Sequence, residues 1–323
     1  MRICCIINSR SGTAGQSPAQ LVNELFIKRG ITAKILEPRD GNSISTLAKT
    51  AMDQDYDIIV AGGGDGTINA VASAIVGNSA IKLGILPIGT FNHFARDLGL
   101  PIDIEKAVEI IVAGQVKSVD VGEVNGRIFV NNSSLGLYPA MVRLREGLQK
   151  SGHRKFLAAL WASLRIFARF RRLRLELHPA TGSVLKRNTP MLFLGNNAYD
   201  TSLTTLGTRP SLDRGILWVV MPTAPTRWGL LRGLWAILSG REKASHVFTF
   251  EATNLTVASS RRHLKVALDG EVQQLLLPLN YRILPKSLQV IIPPVEATAV
   301  EPKWKQKPDG PKGIKHASTK GCR

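Results

Sequence analysis

Short apolar runs rich in β-branched residues alternate with amphipathic segments of helical spacing over roughly the first third of the chain. The runs predict strands and the amphipathic segments predict helices. The predicted strands are Ile3–Ile7, Thr32–Leu36, a run that begins at Ile58, and Lys82–Leu86, and the predicted helices are Leu21–Arg29, Ser43–Met52 and Ile104–Ala113. Because strands and helices that alternate with short loops form parallel sheets, we predict an α/β N-terminal domain, a parallel sheet with helices on both faces.

The rhythm changes near Asp120, where short strands separated by turn residues begin to dominate. This pattern predicts a mainly-β C-terminal domain, with helical insertions at Arg154–Arg172 and Arg227–Leu238. The last two predicted strands are Tyr281–Leu284 and Leu288–Ile292. From Pro302 the chain is rich in Pro, Gly and Lys, a composition typical of disorder. The predicted parts are therefore an α/β domain over 1–120, a β-rich domain over 121–295 and a basic disordered tail over 301–323.

Charge changes the picture, because the formal net charge of the 323 residues is +18 and it is unevenly spread. Ten Lys or Arg stand against one acid between Arg143 and Arg174, and seven against two between Glu301 and Arg323. These two stretches thus carry 14 of the 18 charges. An anionic partner is expected, either a phospholipid surface or a nucleic acid.

Cysteine content and hydropathy bear on the cellular compartment. Three cysteines, Cys4, Cys5 and Cys322, cannot form a disulfide framework in a chain of this length, and a reducing cytoplasm fits. The N-terminal apolar run is too short for a signal peptide, and no apolar run approaches 18 residues. We expect a cytoplasmic protein that neither is secreted nor spans a membrane.

A glycine-rich loop follows the strand that begins at Ile58. Gly62, Gly63, Gly64 and Gly66 allow backbone amides and the next helix N-terminus to face a phosphate. The loop lacks the lysine of a P-loop and the third glycine of a dinucleotide fingerprint. Asp65 would repel a phosphate unless a divalent cation or a transferable proton is involved, which favours phosphoryl transfer. The structural alternative is a tight turn whose aspartate caps the helix.

Three further segments place polar groups where strands or hairpins end. Asn8–Gly12 follows the first strand, and the segment Pro87–Asp97, with Thr90 and Asn92, follows the strand ending at Leu86. Ligands of open α/β sheets collect at such carboxyl ends. Asp-Gly at 269–270 between apolar flanks predicts a hairpin, and its rigid turn would hold the carboxylate of Glu271 still.

Taken together, these segments resemble the diacylglycerol kinase catalytic-domain family of lipid kinases, in particular its soluble bacterial members, which are related to sphingosine and ceramide kinases. The resemblance extends to about Pro293. The matching segments are Asn8–Gly12, Gly62–Thr67 with Asn69, Leu86–Asn92 with Phe94–Asp97, and Leu268–Glu271. The Gly-Gly-Asp-Gly-Thr segment is shared with NAD kinases and, more loosely, with phosphofructokinases.

The resemblance implies an ATP-dependent kinase that phosphorylates a lipid hydroxyl, with diacylglycerol as the acceptor and phosphatidic acid as the product. A sphingoid base or phosphatidylglycerol stays open as an alternative acceptor. Glu271 would be the catalytic base, and Asp65 would be catalytic through Mg²⁺ bound with ATP. The residues implied to bind the nucleotide are Asn8, Gly64, Asp65, Gly66, Thr67, Thr90 and Asn92.

The chain also departs from the family pattern. Ser9 stands where proline is usual, and His93 where aspartate is common. Asp213-Arg214-Gly215 stands where relatives with a structural Mg²⁺ carry Asp-Asp-Gly. Because Arg214 replaces an expected ligand, a second metal site is not assigned, and Asp213 remains only a candidate metal ligand.

The stretch Lys155–Arg172 is predicted to be a basic amphipathic helix. Arg165, Arg169 and Arg172 share one face, and we predict that they dock the enzyme peripherally on an anionic membrane. The alternative is that the apolar stripe packs on the β-rich domain and the arginines are only solvated.

Two other functions compete with the lipid kinase. NAD kinase follows from the glycine loop, and a nucleic-acid-binding protein follows from the net charge. Interleaved aromatic residues on a basic sheet face would favour nucleic acid and are not found, so no nucleic-acid partner is expected. A homodimer is left open.

Overall fold

The computed structural model describes residues 1–9, 17–137, 172–200, 207–222 and 247–294. Residues Arg10–Gly12 of the first matching segment lie outside these ranges, as do Arg165, Arg169, Cys322 and the predicted tail. Both predicted helical insertions also lie outside them, except for Arg172.

The N-terminal part contains four parallel strands in the order β2-β1-β3-β4. The strands are β1 (Ile3–Ile7), β2 (Ala33–Leu36), β3 (Ile58–Gly63) and β4 (Lys82–Pro87), and the helices are α1 (Pro18–Lys28), α2 (Gly41–Met52), α3 (Asp65–Ile75), α4 (His93–Asp97) and α5 (Ile104–Ala113). Each strand and helix predicted for this region is present within a few residues of its predicted bounds.

Helices cover both faces of this sheet, which explains why its strands are apolar at every position. Successive strand residues point to opposite faces, so Cys4 and Ile6 pack with α2 and α3 while Cys5 and Ile7 pack with α1 and α5. Burial raises the pKa of Cys4 to about 11 and raises the pKa of Cys5 further. Both thiols therefore stay protonated and act as small apolar residues of the core.

The last long strand, β16 (Leu279–Ile292), returns to the N-terminal sheet and pairs in parallel with β4 at Val290 and Leu83. It also pairs with β5 (Gln115–Val124) and β13 (Asn254–Ala258). The sheet then continues through β8 (Leu173–Pro179) to β9 (Leu185–Thr189), and β6 (Arg127–Phe129) adds to β5. The two strands predicted separately near the C-terminus are one strand with an irregularity between Leu284 and Leu288.

A second sheet of six antiparallel strands lies against the C-terminal half of the first. Its order is β12 (Val247–Ala252), β11 (Leu217–Pro222), β10 (Met191–Asn196), β7 (Asn132–Gly136), β14 (His263–Leu268) and β15 (Glu271–Leu276). One of its faces packs through Leu194, Val219 and Val266 into a core shared with Leu177 and Tyr281 of the first sheet. The predicted fold class, an α/β part followed by a mainly-β part, is confirmed. The division at residue 120 stays a prediction, since the first sheet takes strands from both sides of it.

Helix starts show how local sequence fixes these elements. Asp40 accepts a hydrogen bond from the Ser43 amide at 2.8 Å, and the Ser43 hydroxyl accepts one from the Asp40 amide, so α2 begins with a capping box. Asp103 caps α5 by accepting from the Lys106 amide at 2.9 Å. No helix within the described ranges is long and apolar enough to cross a bilayer.

Candidate active site

The glycine loop runs from the end of β3 into α3, as the sequence predicted. Gly64 is the extended residue before the helix, and Asp65 is its first residue. A Cβ on Gly63 would lie 2.4 Å from the Thr67 hydroxyl, so a side chain there would collide with the first turn of the helix. The loop keeps its shape because glycine occupies this position.

A second loop, which follows β4, packs against the glycine loop. A Cβ on Gly89 would lie 2.3 Å from the Cα of Gly64, so the two backbones approach as closely as glycine permits. Asn92 adopts a left-handed conformation, with φ of 48°, and its side-chain amide donates to the carbonyl oxygens of Pro87 at 3.1 Å and Gly89 at 2.8 Å. Its side chain is buried and hydrogen-bonded within this loop, so Asn92 shapes the loop, and its role in nucleotide binding stays a prediction.

A cavity of about 1220 Å³ lies where the carboxyl ends of β1, β3 and β4 face the β14–β15 hairpin. Parallel α/β sheets bind ligands at this edge. Six of the seven predicted nucleotide-binding residues and the predicted base line it, namely Asn8, Gly64, Asp65, Gly66, Thr67, Thr90 and Glu271. His93 lines it too, stacked on Phe91 with ring centroids 5.7 Å apart.

Hydrogen bonds connect the loops that border the cavity. The Asn8 amide nitrogen donates to the Gly62 carbonyl at 2.8 Å, and its side chain reaches the Thr67 hydroxyl at 3.5 Å. The Oδ1 atom of Asp65 accepts from the Phe94 amide at the start of α4, at 3.3 Å. The loops after β1, β3 and β4 are thus connected to one another around the cavity.

The turn that carries the predicted base is held by Asp269. Asp269 and Gly270 both have positive φ, 47° and 93°, as in a two-residue hairpin turn of type I′. The Asp269 carboxylate accepts from the amides of Val130 at 2.7 Å, Asn131 at 2.8 Å and Asn132 at 2.9 Å, and from the side chain of Asn69. Burial raises the pKa of the Asp269 carboxyl, and these four donated hydrogen bonds oppose the rise.

Glu271 lies directly after this turn, beside the glycine loop. A Cβ added to Gly66 would lie 3.0 Å from the Glu271 Oε1 atom, so the carboxylate stands against the loop backbone. A carboxylate within reach of a phosphate cradle can accept a proton from a hydroxyl group placed between them. The structure therefore brings the predicted base and the predicted phosphate loop together.

Arg209 is a residue of the site that the sequence reading missed. Its side chain has no exposed surface, and its Nε donates to the Asp97 carboxylate at 2.7 Å. The guanidinium also donates to the carbonyls of Val130 at 2.6 Å and Asn196 at 3.1 Å, and to the Asn131 side chain at 2.7 Å. Asp97 was part of a matching segment, but nothing in the local sequence marks an isolated arginine as buried.

Aromatic rings flank this arginine. The rings of Phe94 and Tyr199 lie 5.8 Å and 5.6 Å from the guanidinium carbon. The Tyr199 hydroxyl donates to the Asn131 carbonyl at 3.1 Å, and burial raises the pKa of Tyr199 to about 12, so it stays a neutral donor. Arg209 thus joins α4 to the segment 130–132, which is the same segment that Asp269 holds.

The predicted metal-ligand candidate Asp213 lies away from the cavity. Its carboxylate is 3.9 Å from the Lys117 ammonium and accepts from the Ser211 hydroxyl. Arg214 pairs with Glu251 at 3.2 Å. The metal role of Asp213 stays a prediction. Of the predicted docking arginines, Arg172 immediately precedes β8, and Arg165 and Arg169 lie outside the described residues.

Residues 2–124 match the family model of the diacylglycerol kinase catalytic domain. A diacylglycerol kinase of Staphylococcus saprophyticus is 42% identical over 93 residues, which cover 28% of this chain and 30% of that protein. One from Staphylococcus aureus is 28% identical over 248 residues, which cover 76% of this chain and 78% of that protein. The chain thus aligns with less than a third of the first relative and with most of the second.

Solved structures share the fold. A diacylglycerol kinase from Bacillus anthracis has a TM-score of 0.64 at 17% identity, over 90% of this chain and 96% of its own. Yeast NADH kinase in complex with NADH has a TM-score of 0.52 at 11% identity, over 90% of this chain and 82% of its own. At these identities the likeness concerns the fold alone.

We expect Asp97→Asn and Arg209→Met each to lower the free energy of unfolding by about 3–5 kcal/mol, because either change leaves a buried charge without its partner. Urea denaturation followed by circular dichroism measures the loss. The control is Arg214→Met, whose half-exposed pair with Glu251 should cost at most about 1 kcal/mol. Equal small losses in all three variants would contradict a dependence on the Arg209–Asp97 pair.

Proposed function

Since residues 2–124 match the family model of the diacylglycerol kinase catalytic domain, we propose that the protein is a lipid kinase that transfers the γ-phosphoryl group of ATP to a lipid hydroxyl. Diacylglycerol is the proposed acceptor, and phosphatidic acid is the product. The relatives named above are diacylglycerol kinases, which supports this choice of acceptor.

One observation carries the proposal, namely the position of the Glu271 carboxylate against Gly66 of the glycine loop. A kinase needs a phosphate cradle and a base within hydrogen-bond reach of the attacking hydroxyl. The proposed cradle consists of Gly64, Gly66 and Thr67 with Asn8 beside them, and the proposed base stands next to Gly66 and lines the same cavity.

In the proposed reaction Glu271 accepts the proton of the lipid hydroxyl as its oxygen forms a new bond to the γ-phosphorus of ATP. The bond between that phosphorus and the β–γ bridging oxygen breaks, and ADP leaves with the bond's electron pair. Phosphoryl transfer requires little covalent chemistry from the protein, so positioning of the two substrates is the main task of the cavity.

Asp65 is the residue that we propose holds Mg²⁺ bound with ATP. Such ions are usually held by one or two carboxylates together with phosphate oxygens and water. Asp65 fits this role, because its Oδ1 accepts from Phe94 and no described residue donates to its Oδ2. Within the described ranges no three His, Cys, Asp or Glu side chains cluster as a metal cage. When bound, Mg²⁺ would reduce the repulsion between the phosphates and Asp65.

The second candidate function is an NAD kinase. It is supported by the shared glycine loop and by the likeness of the fold to yeast NADH kinase. Both reactions would use the same cradle and differ in the acceptor. A sphingoid base and phosphatidylglycerol remain alternative lipid acceptors.

The predicted membrane contact is also part of the proposal. A kinase of water-insoluble lipids has to reach its acceptor at a bilayer surface. Arg165, Arg169 and Arg172 would contribute roughly 1 kcal/mol each near an anionic surface, screened by salt.

We expect labelled ATP to phosphorylate diacylglycerol in a panel that also contains a sphingoid base, phosphatidylglycerol and NAD. Glu271→Gln should lower kcat about 10²- to 10⁴-fold with little change in ATP binding, because a base acts on the chemical step. The control is Glu105→Gln in α5, which does not line the cavity. Labelling of NAD alone would favour the second candidate, and unchanged turnover in Glu271→Gln would exclude this base.

Asp65→Asn should abolish turnover while the fold persists. An asparagine oxygen can still accept from the Phe94 amide, so the start of α4 stays in place, but the charge that would hold Mg²⁺ is lost. Circular dichroism tests the fold, and a Mg²⁺ titration of activity tests the metal. Normal turnover with a normal Mg²⁺ requirement would refute this role of Asp65.

Co-sedimentation with vesicles should increase with their anionic lipid content and decrease with salt. Changing Arg165, Arg169 and Arg172 together to glutamine should reduce it. The matched control changes Arg2, Arg214 and Arg282 to glutamine, which removes the same charge from exposed sites. Equal losses in the two triple variants would show that net charge alone, without a specific role of Arg165, Arg169 and Arg172, drives binding.

A further inference from the structure

Asn69 lies in α3, one helical turn beyond Gly66, and its side-chain amide faces the turn of the β14–β15 hairpin. The Nδ2 atom donates to the Asp269 carboxylate and to the Ile128 carbonyl at 3.3 Å. Its Oδ1 atom accepts from the Ser73 hydroxyl at 3.3 Å. Two acceptors on one side and a donor on the other determine which end of the amide is nitrogen.

Among the hydrogen bonds of Asp269, the one from Asn69 differs from the others in the segment that it reaches. Oδ1 accepts from the amides of Asn131 and Asn132, and Oδ2 accepts from the amide of Val130 and from Asn69. The Asp269 amide in turn donates to the Asn132 carbonyl at 2.9 Å. Four of the five bonds hold the turn to the segment 130–132, and the fifth, from Asn69, connects it to α3.

This fifth bond connects α3, whose start would face the phosphates, to the hairpin turn that precedes the proposed base. Gly66 and Asn69 are three residues apart in one helix, so they move together, and Glu271 directly follows the rigid two-residue turn Asp269-Gly270. The hydrogen bond therefore fixes the Glu271 carboxylate relative to the backbone that would face the phosphates.

We propose that Asn69 is a positioning residue for Glu271, acting through Asp269. This inference rests on the proposed function, in which Glu271 is the base. A displacement of about 1 Å at a reacting group can cost on the order of 10² in rate, so loss of this bond should appear in turnover before it appears in substrate affinity.

The test compares Asn69→Leu, which keeps the volume but removes the donor, with Asn69→Gln, which keeps an amide on a longer side chain. We expect Asn69→Leu to lower kcat about 10- to 100-fold with the KM for ATP within about twofold, and Asn69→Gln to recover part of the loss. The matched control is Asn23→Leu in α1, outside the cavity lining. If Asn69→Leu does not fold, Asn69→Ser takes its place, since serine is too short to reach Asp269.

The deciding measurement repeats Asn69→Leu in the Glu271→Gln background. If Asn69 acts by placing Glu271, the second change should add less than about twofold, because residues that act as a unit are not additive. An equal fold-loss in both backgrounds, or no loss in the wild-type background, would overturn the inference. Unchanged activity of Glu271→Gln alone would instead overturn the proposed base, so the two failures are distinguishable.

Discussion

A guanidinium group with no exposed surface must be neutralised and hydrogen-bonded where it lies, because an unpaired buried charge is among the most costly defects in a protein. Arg209 meets this requirement with the Asp97 carboxylate, two backbone carbonyls and the Asn131 side chain. These partners belong to α4, to the segment before β7 and to the end of β10. These three segments are thus all bonded to the Arg209 guanidinium, and the position of α4, at the end of the loop after β4, depends on this group.

Four carboxylates line the cavity, and their partners separate them into two kinds. Asp97 is matched by Arg209, and Asp269 is surrounded by four donors, so both are committed to holding backbone segments in place. Asp65 and Glu271 stand at the glycine loop instead, where a substrate would lie. Two of the four carboxylates thus hold the backbone around the cavity, and the other two border the glycine loop.

The sequence was informative where a local signal decides the outcome. Helical spacing placed α5 at its observed bounds, the glycine run marked the loop after β3, and Asp269-Gly270 marked the hairpin. Long-range pairings left no such signal. The pairing of β16 with β4 and the burial of Arg209 both depend on residues distant in the chain. Asn69 and Asp97 lay within matching segments, but only their spatial neighbours reveal what they contact.

The return of β16 to the first sheet has a consequence for biosynthesis. The far edge of β4 stays unpaired until Val290 has left the ribosome, so the glycine loop and its helix emerge long before their sheet is complete. During this interval one edge of β4 has no strand partner, and such an edge can pair with another chain. A fragment ending where the family match ends, at residue 124, would carry the glycine loop on an unfinished sheet. The glycine loop, which is made in the first third of the chain, therefore gains the last neighbouring strand of its sheet only after residue 290 has been made.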